Sequence, residues 1–257
     1  MIPASDITKW GVNHPWSTRD QIEQDFLLSQ AICEIANDPM LGNELIIRGG
    51  TAFHKMFLHK PYRYSEDLDY VRSSAGGIGP IMKQLVAIGD RLGFMTNSNL
   101  AKFPKVLWKG TSESGQPLRI KIEINTYERT PALPLTTMLY AVDAECYSSQ
   151  SNVKTFQTEE LIATKIRALY QRSKGRDLFD IWLSNEMLAL DPRVTIDAFE
   201  TYRPDGMTAV LAIKNLEKKL ESRQFLDDLN GLAILHDVNY DPKQASEIVI
   251  EKLLRLL

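Results

Sequence analysis

The stretch from Leu45 to Arg72, LIIRGGTAFHKMFLHKPYRYSEDLDYVR, constrains the fold more than any other part of the chain. Leu45, Ile46 and Ile47 predict a short apolar strand, Gly49 and Gly50 a turn, and Phe53, Met56, Phe57 and Leu58 a brief helix. An aromatic and basic loop follows, then a second strand from Leu68 to Val71. Asp67 and Asp69 stand two apart where that strand begins, so both carboxylates project to one side while Leu68 and Tyr70 project to the other. Two like charges on one face cost stability unless they share a cation. Mg²⁺ suits such a pair, because it binds through one or two carboxylates together with substrate phosphates. A Gly-Gly turn just upstream lets backbone approach a phosphate closely. Either feature alone is common in a chain with 33 acids; it is their order that carries information.

Elsewhere the sequence is that of an ordinary globular protein. Its 257 residues allow one large domain or two smaller ones, and 44% hydrophobic with 25% charged residues is unexceptional. A net charge of −3 means that any nucleic-acid contact needs a local basic patch. Cys33 and Cys146 form no C-x-x-C, which points to neither a disulfide framework nor a zinc site. No basic leader precedes an apolar run, and no apolar run approaches membrane-spanning length, so a cytoplasmic protein without membrane contact is expected.

Residues 1–16 read as irregular, with Ser17 and Asp20 resembling a capping box ahead of a helix to about Asn37. Ile81, Leu85, Ile88 and Leu92 predict a helix ended by Gly93, and the Gly76-Gly77 pair before it reads as a turn. Strands are expected over Lys102 to Lys109 and Leu118 to Asn125. The latter alternates cleanly: Leu118, Ile120, Ile122 and Ile124 on one face, Arg119, Lys121, Glu123 and Asn125 on the other. From Leu135 a strand, a polar loop through 148–152 and a short strand ending near Phe156 are expected. Thr158 reads as the N-cap of a helix, and the remainder as all-helical, with stripes such as Phe225, Leu229 and Leu232.

The text GGTAFHKMFL…RYSEDLDYV resembles the DNA polymerase β-like nucleotidyltransferase superfamily, and more narrowly the AbiEii/AbiGii-type toxins of type IV toxin–antitoxin systems. A second block, ELIATKIRALYQRSKGRDLFDIW, is similar to that family's helical signature, so the resemblance covers roughly Leu45 to Trp182. One departure is the loop: 16 residues separate Gly50 from Asp67, more than in the compact superfamily pattern. The resemblance implies an α+β fold. A polymerase β-like core with a mixed sheet and flanking helices would span 1–157, and a helical domain over 158–257 would complete the cleft.

It also implies a chemistry. Asp67, Asp69 and Glu123 would hold Mg²⁺ or Mn²⁺, with two metals roughly 3.5–4 Å apart and Glu123 as the third carboxylate and acceptor of the hydroxyl proton. The bland reading of Glu123 is a surface ion pair worth under ~1 kcal/mol. Gly49, Gly50 and Thr51 would hold phosphates. Ser65 matches a characteristic serine that orients the acid loop or contacts phosphate, or is a plain loop serine. Lys165 would meet the NTP phosphates, with Asp177 or Asp180 supporting the site. The bland alternatives are a lysine beside the Ile162, Ile166, Leu169 stripe with its ammonium in solvent, and a first-turn acid favoured by the helix dipole.

Relatives in the MenT group modify the tRNA 3′ end and so block translation, which makes tRNA the favoured RNA acceptor. Lys102, Lys105, Lys109, Arg119, Lys121, Arg172, Lys174 and Arg176 are candidates for an RNA-facing patch, with Tyr62, Tyr64 and Trp108 to stack on bases. A cognate antitoxin encoded nearby is the expected partner. Transfer to a protein or small molecule, or NTP binding without turnover, are the alternatives.

Overall fold

The computed structural model describes residues 2–232 and 238–257; Met1 and 233–237, which fall inside the two expected domains, lie outside the described residues. The chain divides into two compact units, Met1–Pro131 with Leu135–Phe156, and Ala132–Pro134 with Gln157–Leu257.

The first unit is a mixed sheet backed by helices. Among the described residues its order is β3-β4-β5-β2-β1-β7-β6 over seven strands. These are β1 (Leu45–Arg48), β2 (Asp67–Arg72), β3 (Met95–Asn99), β4 (Lys105–Thr111), β5 (Pro117–Asn125), β6 (Thr136–Asp143) and β7 (Ser148–Thr155). β2 runs parallel to β5 and β1 parallel to β7, and the other neighbours are antiparallel. The alternation predicted for β5 holds: Leu118, Ile120, Ile122 and Ile124 are all buried. They share a core with Phe26, Ile32, Leu68, Leu85 and Trp108. The helices of this unit are α1 (Ala4–Asn13), α2 (Arg19–Asn37), the single turns α3 (Leu41–Glu44) and α4 (Gly49–Ala52), and α5 (Gly79–Arg91).

Several boundaries differ from the sequence expectation. Within the stretch read as irregular, Ala4–Asn13 form α1, which buries Ile7 and sets Trp10 edge-on against Phe26, with ring centroids 5.2 Å apart. Ten residues are too few for a stable isolated helix, so it is this tertiary packing that specifies it. The capping box lies one residue later than Ser17, with Thr18 and Gln21 bonding each other's backbone at 3.2 Å. The brief helix after Gly50 is α4 running into a π-turn at Phe53–Phe57. β3 was not expected, because its residues (Met, Thr, Asn, Ser, Asn) lack an apolar face, and pairing with β4 is what defines it. Residues 148–152, expected as a polar loop, open β7 and pair with residues 139–143 of β6.

The second unit holds α6 (Thr158–Gln171), α7 (Gly175–Met187), α8 (Pro192–Glu200), α9 (Ala209–Leu220), the turn α10 (Arg223–Leu226) and α11 (Pro242–Lys252). Thr158 is the first helical residue of α6, and Gln157 stands at the N-cap. Ile162, Ile166, Leu178, Phe179, Phe199, Leu216, Phe225 and Val249 are buried. Gly175 opens α7 where a Cβ would come within 2.3 Å of the Phe225 carbonyl, so only glycine fits that approach. No helix among the described residues is long and apolar enough to cross a membrane.

Candidate active site

The candidate residues of the first unit converge through strand register. β2 pairs with β5 so that Asp67 lies beside Lys121 and Asp69 beside Glu123. Residues opposite one another share a face, so Asp67, Asp69, Lys121 and Glu123 project together from the polar side of the sheet. β1 delivers the turn: Arg48 pairs with Asp69, and Gly49 follows at once. Gly49 has φ +80°, and a Cβ there would sit 2.7 Å from Asp69 Oδ2. Both facts demand glycine, one through backbone handedness and the other through space.

A short polar chain fixes where β2 begins. The Thr51 hydroxyl donates to the Asp67 backbone carbonyl at 2.5 Å, leaving Ser65 to donate to Thr51 at 2.6 Å. Thr51 is buried, so what its hydroxyl and that of Ser65 supply here is the position of the acid-bearing strand.

Lys121 is the residue that sequence reasoning placed only in a surface patch. Its ammonium lies 2.7 Å from Asp67 Oδ2 and 3.5 Å from Glu123 Oε1. Burial works against the Lys121 charge, but Asp67, with Glu123 and Asp69, more than offsets it and holds the ammonium above the ordinary lysine range. The signal was available, since Lys121 and Glu123 share one face of the same alternating strand. Arg48 and Glu128, paired at 2.6 Å, and Asn125, which donates to Glu128 at 3.0 Å, line the same neighbourhood. Alternation put Asn125 on the polar face, but nothing in local sequence announced Arg48 and Glu128, which meet through the β1–β2 register and a turn after β5.

The donor set suits a hard divalent cation: carboxylate oxygens at alternate positions on adjacent strands, with a side-chain-free Gly49 against one of them. A ready three-ligand nest is not preformed: among the described residues no three of His, Cys, Asp and Glu are grouped so as to hold a metal ion. The positive charge beside Asp67 and Glu123 is that of Lys121. A separate cavity of about 350 Å³ in this unit, lined in part by Trp10, His14, Lys55 and Tyr140, contains none of the sequence-predicted site residues.

In the second unit Lys165, Asp177 and Asp180 form their own cluster. Lys165 Nζ lies 3.2 Å from Asp177 and 2.8 Å from Asp180, and Arg172 binds Asp177 at 2.7 and 2.8 Å. Both aspartates are fully buried and Lys165 is nearly so; its ammonium is not in solvent, contrary to the bland alternative. Burial works to raise the Asp177 carboxyl, yet Lys165 and Arg172 together hold it below the ordinary range.

The stacking residues expected for RNA are corrected. Tyr62, Tyr64 and Trp108 are buried, and the Trp108 indole donates to the Leu85 carbonyl at 3.1 Å, so none presents a ring face to a base. Of the basic residues, Lys105 and Lys109 pair opposite Glu123 and Arg119 and thus share the acids' face. Lys174 and Arg176 bind Asp228 at 3.2 and 2.9 Å; burial works to raise that carboxyl, and these partners bring it down to about 2.

The model of the AbiEii family, described as nucleotidyl transferase AbiEii toxin of a type IV toxin–antitoxin system, matches residues 30–254. The fold is similar to that of MenT4, a nucleotidyltransferase toxin from Mycobacterium tuberculosis H37Rv. The TM-score is 0.53 at 16% identity, covering 100% of this chain and 99% of that one. An antigenic nucleotidyltransferase-like protein from Paracoccidioides brasiliensis matches at TM-score 0.46 and 18% identity, covering 83% and 97%. No curated protein matches.

Proposed function

This chain belongs to the AbiEii family of nucleotidyl transferase toxins, and we propose that it transfers a nucleoside monophosphate from an NTP to the 3′ end of an RNA, tRNA being the favoured acceptor. Membership makes it a nucleotidyltransferase and implies an NTP substrate and an antitoxin partner. A tRNA extended at its 3′ end cannot be charged, so translation would stop. The observation that carries the reading is the set of three carboxylates on two parallel strands, placed against a glycine that leaves room for them.

Asp67, Asp69 and Glu123 would hold Mg²⁺ or Mn²⁺, which supplies Lewis-acid stabilisation of the phosphates and of the attacking oxygen. Glu123 accepts the proton of the acceptor hydroxyl. Gly49 and Gly50 bring backbone amides to the triphosphate, and Thr51 and Ser65 keep β2 in register beneath it. Lys121 answers the carboxylate charge and is close enough to steer an incoming phosphate. We assign Lys165 to the NTP phosphates, its ammonium oriented by Asp177 and Asp180. Residues 1–157 serve as the nucleotidyltransferase domain and 158–257 as the helical domain.

The test is a labelling assay with the purified protein, Mg²⁺, each α-labelled NTP in turn and total cellular RNA, beside the Asp67→Ala/Asp69→Ala variant. Label in tRNA-sized bands only with both aspartates present supports the reading and names the nucleotide. Label that persists without them sinks the carboxylate assignment. Label in protein or in small molecules alone moves the acceptor away from RNA.

A further inference from the structure

We propose that Phe103 and Tyr127, with Lys102, form the platform on which the single-stranded end of the acceptor RNA stacks. Phe103 is 55% and Tyr127 64% exposed, which is unusual for large aromatic side chains in a unit that buries Trp16, Tyr62, Tyr64 and Trp108. Their ring centroids lie 6.3 Å apart with planes crossed at 71°, so neither ring shields the whole face of the other. The Lys102 ammonium stands 5.6 Å from the Phe103 centroid, putting a cation beside an open π-face.

The pair is built onto the site. Phe103 precedes Lys105 by two residues, and Lys105 pairs directly with Glu123. The Ile124 amide donates to the Pro104 carbonyl at 2.9 Å, tying the segment that carries Phe103 to the end of β5. Tyr127 sits in the turn closed by Asn125, whose Oδ1 accepts the amides of Tyr127 and Glu128 at 2.8 and 3.0 Å. Both rings are therefore anchored within a few residues of the third carboxylate.

Two crossed rings could serve several partners, and the charge around them chooses. Lys105 and Lys109 lie on the acids' face of β4, and Arg119 on the adjoining β5. Exposed aromatics among lysines and arginines match a strand that offers bases to stack and phosphates to neutralise. The inference rests on the RNA-acceptor reading, since it assigns that acceptor a place to bind.

The experiment is fluorescence anisotropy of an unstructured single-stranded RNA of about a dozen nucleotides, within the usual site size of single-strand binders. A duplex of equal length is the control. The full-length protein is compared with Phe103→Ala/Tyr127→Ala and with the ring-keeping Phe103→Tyr/Tyr127→Phe, each checked by thermal melting. Loss of both rings should weaken single-strand binding at least about tenfold. The slope of log Kd against log salt should not change, because no phosphate contact is removed. Duplex binding should be unaffected, and the ring-keeping pair should bind like wild type. Equal single-strand affinity in the alanine variant, or an unchanged KM for RNA in the labelling assay, overturns the platform and leaves the transferase reading standing. A wild-type protein that neither binds nor labels RNA overturns both.

Discussion

The protein contains two clusters made of the same parts, aspartates answered by a lysine, in opposite surroundings. In the first unit Asp67 and Glu123 keep 41% and 37% of their side-chain surface, and Lys121 keeps 28%. In the second, Asp177 and Asp180 keep none and Lys165 keeps 8%. A half-exposed cluster retains most of its hydration, so each ion pair contributes under about 1 kcal/mol and its members can exchange partners cheaply. A buried cluster has given up its hydration and depends on every partner staying in place. The first arrangement suits a site that must admit a triphosphate. The second suits a rigid strut, one that can also point a charge.

Removing one member is the sharpest way to break this comparison. Lys165→Ala leaves two fully buried aspartates with one positive partner fewer, and should cost about 3–5 kcal/mol in chemical denaturation. Asp67→Ala and Asp69→Ala should stay within about 1 kcal/mol of wild type. Equal midpoints for Lys165→Ala and wild type would dismiss the strut. The buried cluster also carries a signature in acid. The folded Asp177 carboxyl binds its proton more weakly than the unfolded one, whose ordinary value is 3.8. Its contribution is therefore complete above that value and is lost as pH falls through the lower folded value. Asp177→Asn should flatten the decline in stability below pH 3.8 relative to wild type, and an unchanged acid limb would count against the assignment.

The glycines extend the contrast to backbone. Gly49-Gly50 and Gly76-Gly77 look alike in sequence, but a Cβ on Gly49 meets Asp69 while nothing lies within 4 Å of one on Gly77. Gly49→Ala should cost about 1–2 kcal/mol for its left-handed backbone. By displacing the Asp69 carboxylate it should lower transfer about a hundredfold. Gly77→Ala should transfer and melt like wild type. Comparable activity in both variants would mean that the close approach at Gly49 serves only the turn.

These pairs also show what was legible in the chain. Alternation located β5 and its polar face, and with it Glu123, because a period of two is a local property of one strand. The D-x-D placed Asp67 and Asp69 together for the same reason. Lys121 shares the face of Glu123, yet its ion pair with Asp67 depends on the parallel β2–β5 register, a non-local fact. Tyr62, Tyr64 and Trp108 were misjudged because composition announces an aromatic ring but not which side of a strand or loop it faces. Phe103 and Tyr127 went unnoticed for the converse reason: Phe103 fell inside the strand expected from Lys102, whereas β4 begins at Lys105, and Tyr127 lies in a bend where no periodicity marks an exposed side chain. The helix at Ala4–Asn13 depends on contact with Phe26, which the N-terminal residues cannot disclose by themselves.

The smallest effect tests the half-exposed cluster from inside. Lys121 places its positive charge 2.7 Å from Asp67, where it competes with any divalent cation for the same oxygens. Replacing it by methionine keeps much of the stem's packing and removes the charge. Stability should move by less than about 1 kcal/mol, as for any pair this exposed. The carboxylates, left without their internal counter-ion, should then bind Mn²⁺ about tenfold more tightly, read by calorimetric titration without nucleotide. Adding Asp67→Asn to Lys121→Met should abolish that gain, since the oxygen contested by the two cations loses its charge. If Lys121→Met bound Mn²⁺ no better than wild type, Lys121 would not contest the metal's oxygens, and the distinction between the two clusters would rest on exposure alone.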